Sequence, residues 1–119
     1  MTDRTRPDDI TGSTLDNDAI LAEIVQRLAK TFGPERIYLF GSKARADAGA
    51  DSDYDLMVIV TRTTEPGYRL AQKAHTLLWD IGTAADILVW SREAFDERLH
   101  LKASLPATVV REGKLLYAA

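Results

Sequence analysis

Apolar positions along this chain switch repeatedly between a helical and a strand period, and the switches mark out an alternating α/β order. Ile20, Leu21, Ile24, Val25 and Leu28 fall at helical spacing, with Asp16 or Asn17 placed to cap the helix and Gly33-Pro34 to stop it. Arg36 to Phe40 (RIYLF) is a short run of β-branched and aromatic residues that predicts a strand ending at Gly41-Ser42. Ser42 to Ala46 reads as the first turn of a short helix. From Asp53 onward, Asp53, Asp55, Met57 and Ile59 share one face of a strand, and Tyr54, Leu56, Val58 and Val60 share the other. Beyond the aspartates both faces are apolar, which predicts a strand covered by helices on both sides.

Thr61 to Gly67 is a loop marked by Pro66-Gly67, and Tyr68 to Ile81 is an amphipathic helix with Leu70, Ala74, Leu77, Leu78 and Ile81 inward, stopped by Gly82. Ala84 to Trp90 (AADILVW) is a third strand. Ser91 caps a helix with Ala94, Phe95 and Leu99 inward, Ser104 to Arg111 forms a further helical turn, and Lys114 to Tyr117 closes the chain as a strand. The predicted order is α-β-α-β-α-β-α-α-β, an α/β domain in which a small mixed β-sheet is flanked by α-helices. No internal repeat is present. Residues 1–15 are polar and without period, and read as a disordered N-terminal arm before a single domain spanning 16–119.

Composition narrows the chemistry. At 119 residues the chain supports one core. It has no cysteine, which excludes a disulfide framework and thiolate zinc, and only His75 and His100 as histidines, which excludes a histidine-rich metal centre. No apolar run approaches membrane-spanning length and no signal-peptide pattern opens the chain, so a cytoplasmic location with no membrane partner is expected. A net charge of −3 argues against long nucleic acid as the main substrate.

The candidate chemistry lies between Phe40 and Val60. Asp53 and Asp55 are carboxylates on one side of a strand, roughly 7 Å apart, and like charges held at the edge of a core call for a cation. Magnesium suits them, because it takes hard oxygen ligands, needs only one or two protein carboxylates and completes its shell with water and phosphates. Upstream, Gly41 would let a backbone approach phosphates closely, while the helical turn from Ser42 would present N–H groups, a hydroxyl and the Arg45 cation to them. Arg45 is favoured for phosphate contact; Lys43 is left unassigned. Asp86, the one charged residue of an apolar strand, is costly there unless paired or metal-bound, which makes it a candidate third ligand.

Gly41-Ser42, Asp53-Tyr54-Asp55-Leu56 and Asp86 within DILV together resemble the signature of the DNA polymerase beta-type nucleotidyltransferase superfamily. The GSxAR start, the Ser-Asp-x-Asp-Leu centre, Ser-Arg-Glu-Ala-Phe after the third strand and the terminal Arg-Glu-Gly-Lys-Leu-Leu-Tyr resemble its minimal branch, the MNT antitoxins paired with HEPN toxins. The likeness covers Arg36 to Tyr117. Where the family commonly has glycine after Ala-Arg, this chain has Ala46, a departure that bears on the phosphate loop.

The resemblance implies a nucleotidyltransferase fold and a protein adenylyltransferase that uses two magnesium ions and ATP. Asp53, Asp55 and Asp86 would be its catalytic and metal-binding residues, and Gly41, Ser42 and Arg45 its nucleotide-binding ones. It further implies an antitoxin that transfers AMP to a tyrosine of a HEPN-type toxin partner. Two other readings stay open: a nucleotidyltransferase that modifies a small molecule with help from a partner subunit, and an antitoxin that neutralises by binding alone. Ser42 lacks a G-x-S-x-G setting and is not expected to be a hydrolase nucleophile. His75 is expected at the surface or an interface. Trp79 and Trp90 fit either the core or a contact with a partner, so a homo- or hetero-oligomer is left open.

Overall fold

The computed structural model describes residues 18–41, 43–44, 53–63 and 65–119. Their order is α1 (Ala19–Phe32), β1 (Arg36–Phe40), β2 (Tyr54–Val60), α2 (Gly67–Leu77), a 3₁₀ turn (Trp79–Ile81), β3 (Ala85–Ser91), α3 (Arg92–Glu97), α4 (Leu105–Glu112) and β4 (Lys114–Ala118). The four strands form one mixed sheet in the order β3-β2-β1-β4. β1 runs antiparallel to both neighbours, and β2 and β3 pair in parallel with α2 as the crossover between them. Parallel pairing demands such a crossover, because two strands of the same direction cannot be joined by a tight turn.

β2 is central, and each of its faces meets a separate core. Tyr54, Leu56, Val58 and Val60 pack with Leu21, Ile24, Val25 and Leu28 of α1 and Leu70 and Ala74 of α2. Met57 and Ile59 pack on the opposite face with Tyr38, Phe95 of α3 and Val109 of α4. The period-2 split of apolar residues in β2 therefore corresponds to two helical layers. A β-bulge at Ile37/Tyr38 shifts the register of β4 on β1. The extra residue lets Leu116 and Tyr117 both pack toward α1 while Leu115 joins the other core.

Three local expectations change. The cap of α1 is Asp18, whose Oδ1 accepts from the Leu21 amide at 3.0 Å; Asp16 and Asn17 lie outside the described residues. Ile20 is 45% exposed, because the buried stripe of α1 runs through Leu21, Ile24, Val25 and Leu28 and leaves Ile20 at its margin. Leu99 is 37% exposed, because α3 ends at Glu97 and the chain has turned away before reaching it. The predicted arm, residues 1–15, also falls outside the described residues. The caps of the last two helices are as expected: Ser91 Oγ accepts from the Ala94 amide and Ser104 Oγ from the Ala107 amide. The short helix expected from Ser42 falls mostly on residues not described; at Lys43-Ala44 the chain turns, with the Ala44 amide donating to the Gly41 carbonyl at 3.1 Å.

Polar ties anchor α1 to the start of β2 and to the turn after α2. Asp18 is used twice: its second oxygen accepts from the Tyr54 hydroxyl at 2.7 Å, linking the start of α1 to the start of β2. Arg27 of α1 donates to Asp80 at 2.6 Å, to the Leu77 carbonyl at 3.1 Å and to Glu23 at 2.8 Å. The guanidinium holds the Asp80 carboxyl below the usual carboxylate range, and the two acids in turn raise the Arg27 pKa. Arg27 is thus a clamp on the turn that follows α2.

Burial, reinforced by the bond to Asp18, pushes the Tyr54 phenol up from 10.0 to about 12. The unfolded chain then loses this proton at lower pH than the folded one. Stability from this group is complete below pH 10.0 and is lost as pH rises through about 12. Urea midpoints measured from pH 8 upward should fall across that window, with one tyrosine ionising late in ultraviolet difference spectra. Tyr54→Phe should remove the late step and lower stability by about 1 kcal/mol at neutral pH. For Arg27→Ala, hydrogen exchange should quicken at the amides of residues 78–84 while the global melting temperature moves little, since exposed ion pairs add little to overall stability.

Candidate active site

The sheet register brings the predicted acids together at the open end of β2. Asp55 lies opposite Phe40 of β1 on one side and opposite Asp86 of β3 on the other. Paired residues on neighbouring strands point to the same face of a sheet, so Asp55 and Asp86 stand side by side on the face that Met57 and Ile59 share farther along. Helices α3 and α4 cover that face at Met57 and Ile59. At the mouth, Asp55 is half-buried and Asp86 exposed. Asp53 precedes the first residue of β2 and is exposed. The Tyr54 amide donates to the Ala84 carbonyl at 3.1 Å, which locks the starts of β2 and β3 in line.

Gly41 follows directly from β1 and has a φ of +76°, a conformation that side chains other than glycine's rarely adopt. A Cβ at this position would overlap the Asp55 carboxylate, lying 3.2 Å from its Cγ. The backbone leaving β1 therefore runs against the central acid, and only glycine permits that approach. Lys43 lies with its Nζ 4.5 Å from the centre of the Tyr54 ring, a cation–π contact that fastens the turn after Gly41 to the residue between Asp53 and Asp55. Through Tyr54 and Asp18, the loop, the acidic strand and the cap of α1 form one connected support.

Asp55 and Asp86 are thus brought together in adjacent strands, with Gly41, just past the end of β1, against Asp55. Ser42, Arg45 and Ala46 lie outside the described residues. Among the described residues no group of three or more histidine or acidic side chains is gathered closely enough to hold a metal ion by itself. The donors present are all carboxylate oxygens, the chemistry a hard divalent cation takes, and such a cation needs only one or two of them when water and phosphates complete its shell. The donor set fits magnesium bound jointly with a nucleotide.

A cleft of about 550 Å³ opens beside these acids, lined by Asp53 and Asp86, by His75, Leu78 and Trp79 from the end of α2 and the 3₁₀ turn, and by Gly82 to Ala85. Trp79 is 87% exposed. His75 is at the surface as expected, and it stands in the wall of this cleft. Trp90, by contrast, packs partly against the second core and carries Arg98 at 5.5 Å from its ring. A signal for Trp79 was present in the sequence: it falls off the helical stripe of Leu70, Ala74, Leu77, Leu78 and Ile81, so the core makes no claim on the largest side chain of that segment. Asp18 and Arg27 had no comparable signal, since their partners are remote in sequence.

The model of the family described as "Polymerase beta, Nucleotidyltransferase" matches residues 22–119. No curated protein matches the chain with significant sequence similarity. Among solved structures, a protein from Sulfolobus solfataricus described as a candidate nucleotidyltransferase superposes with a TM-score of 0.57 at 18% identity, over 99% of this chain and 93% of that one. A toxin–antitoxin complex with AMP-PNP gives 0.50 at 26% identity, covering 82% and 73%. The MntA-HepT toxin–antitoxin complex gives 0.50 at 24% identity, covering 85% and 72%. Among the described residues no helix is long and apolar enough to cross a membrane. With the glycine turn, the two adjacent strand carboxylates and a family match over nearly the whole described chain, the protein belongs to the polymerase beta-type nucleotidyltransferase family.

Proposed function

We propose that this protein transfers AMP from ATP, in the presence of magnesium, to a tyrosine hydroxyl of a HEPN-type toxin partner and so acts as an antitoxin. The observation that carries the reading is the side-by-side placement of Asp55 and Asp86 with Gly41 packed against Asp55. It is the arrangement needed where a triphosphate and its cations meet an acidic strand. The likeness to toxin–antitoxin structures, one of them with AMP-PNP, supports the choice of partner and nucleotide.

Asp53, Asp55 and Asp86 would hold two magnesium ions, which when bound offset the triphosphate charge and acidify the attacking hydroxyl. Gly41 lets the backbone turn tightly against Asp55, and that turn would present its backbone to the phosphates. Ser42 and Arg45, next along the chain, would bind the outer phosphates and hold the leaving pyrophosphate. Asp86, on the strand farther from Gly41, would receive the proton of the incoming hydroxyl. Lys43 and Tyr54 position rather than react: their contact fixes the glycine loop against the strand that carries the acids.

Incubation with magnesium, α-labelled ATP and a HEPN-type partner should move label to the partner, whereas γ-labelled ATP should move none. Asp55→Asn and Asp86→Asn should each lower transfer by at least about a hundredfold, the scale of losing a main electrostatic group, with circular dichroism unchanged. Gly41→Ala should abolish transfer as well, since the added methyl meets the Asp55 carboxylate. Full transfer by Asp55→Asn would refute the reading; toxin neutralised with no label in any lane would replace it with neutralisation by binding.

A further inference from the structure

We propose that the cleft beside Asp86 is the acceptor pocket and that Trp79 is its recognition residue, stacking on the ring of the tyrosine that a partner protein presents. This rests on the transfer reading above and adds where the acceptor sits and what holds it.

The direction of attack fixes the side on which an acceptor must sit. In an in-line displacement the nucleophile and the leaving group occupy opposite sides of the phosphorus. The glycine turn lies on the β1 side of Asp55, and Asp86 lies on the β3 side. Phosphates seated against Gly41 put the leaving pyrophosphate on the β1 side and leave the β3 side for the incoming hydroxyl. The cleft is on that side, with Asp53 and Asp86 in its wall.

Asp53 and Asp86 line the cleft, and no lysine or arginine stands among its described lining residues. A wall of this sign disfavours a second phosphate group and suits a neutral phenol. Among the described residues, the aromatic surface it offers is that of Trp79, joined by the His75 imidazole.

Although Trp79 is 87% exposed, its backbone is well held. Arg27 clamps Leu77 on one side and Asp80 on the other, Leu78 is buried in the core, and Gly82 reverses the chain with a φ of +79°. An indole on a fixed support loses little freedom on binding, which is why tryptophan dominates recognition surfaces. Offset stacking of two aromatic rings contributes beyond the area they bury.

In the step itself the phenolic oxygen of the acceptor forms a bond to the α-phosphorus of ATP. The bond from that phosphorus to the bridging oxygen of the β-phosphate breaks, pyrophosphate leaves with the electron pair, and the phenolic proton passes to Asp86 and then to water. Trp79 takes no part in this exchange; it places the ring.

The test uses the intact chain with magnesium and AMP-PNP, and N-acetyl-tyrosinamide as probe. In ¹⁵N spectra the Trp79 indole signal, assigned by its loss in Trp79→Phe, should shift on titration with the probe, while that of Trp90 should not. With a HEPN-type partner as acceptor, Trp79→Ala should raise the acceptor KM about tenfold, the scale of one lost hot-spot contact, and leave the affinity for magnesium-ATP within about twofold. Because Trp79 is exposed, this variant should fold as the parent does, checked by its melting curve. A silent Trp79 indole, or a Trp79→Ala variant that loses ATP affinity at an unchanged acceptor KM, would overturn the proposal. A shifting indole in a protein that transfers nothing would uphold the pocket and sink the transfer reading, so the two failures are distinct.

Discussion

The rest of the molecule depends on the demand that β2 be buried on both faces. Seven residues from Tyr54 to Val60 offer only one charged side chain, Asp55, and it stands next to the strand's first residue. Everything beyond it has to be shielded from water, so α1 and α2 cover one face and α3 and α4 the other. The one part of the strand that the layers leave open is its mouth, and there the sequence changes from apolar to acidic. The site is therefore placed by the core: the carboxylates are where the helices stop covering the sheet.

Holding acids at such a boundary requires support from outside the sheet, and the structure supplies it with residues that carry no transfer chemistry. Tyr54 lies between Asp53 and Asp55, faces the α1 layer, bonds Asp18 and receives Lys43 on its ring. One buried phenol thereby joins the cap of a helix, the start of the acidic strand and the loop after Gly41. Arg27 does the equivalent work on the far side by tying the turn before β3 to α1. Each tie is individually modest. Together they fix the strand ends whose relative placement sets the distance between Gly41, Asp55 and Asp86.

Much of this was legible in the sequence, for identifiable reasons. The two-faced pattern of β2 implied helices on both sides, and the Ser91 and Ser104 caps follow from local chemistry that needs no knowledge of the fold. The pairing of Asp55 with Asp86 was only implied by resemblance, since register between strands depends on how the crossover packs. The double use of Asp18 was hidden because its second partner is far along the chain. Leu99 misled because helical spacing continued past the point where α3 ends. Trp79 shows a different limit: a pattern of inward residues says which side chains a core needs, but it does not say what a leftover aromatic is for.

The parallel pairing of β2 with β3 also has a kinetic meaning. Tyr54 and Ala85 meet only after about thirty intervening residues have looped back, and contacts of that separation are slow to form compared with helices or hairpins. Before that closure Asp55 and Asp86 belong to unconnected segments, and no partly folded chain can present them together. Closing this loop is thus the step that sets Asp55 beside Asp86. The candidate site has no local precursor in the chain; it forms together with the parallel strand pair.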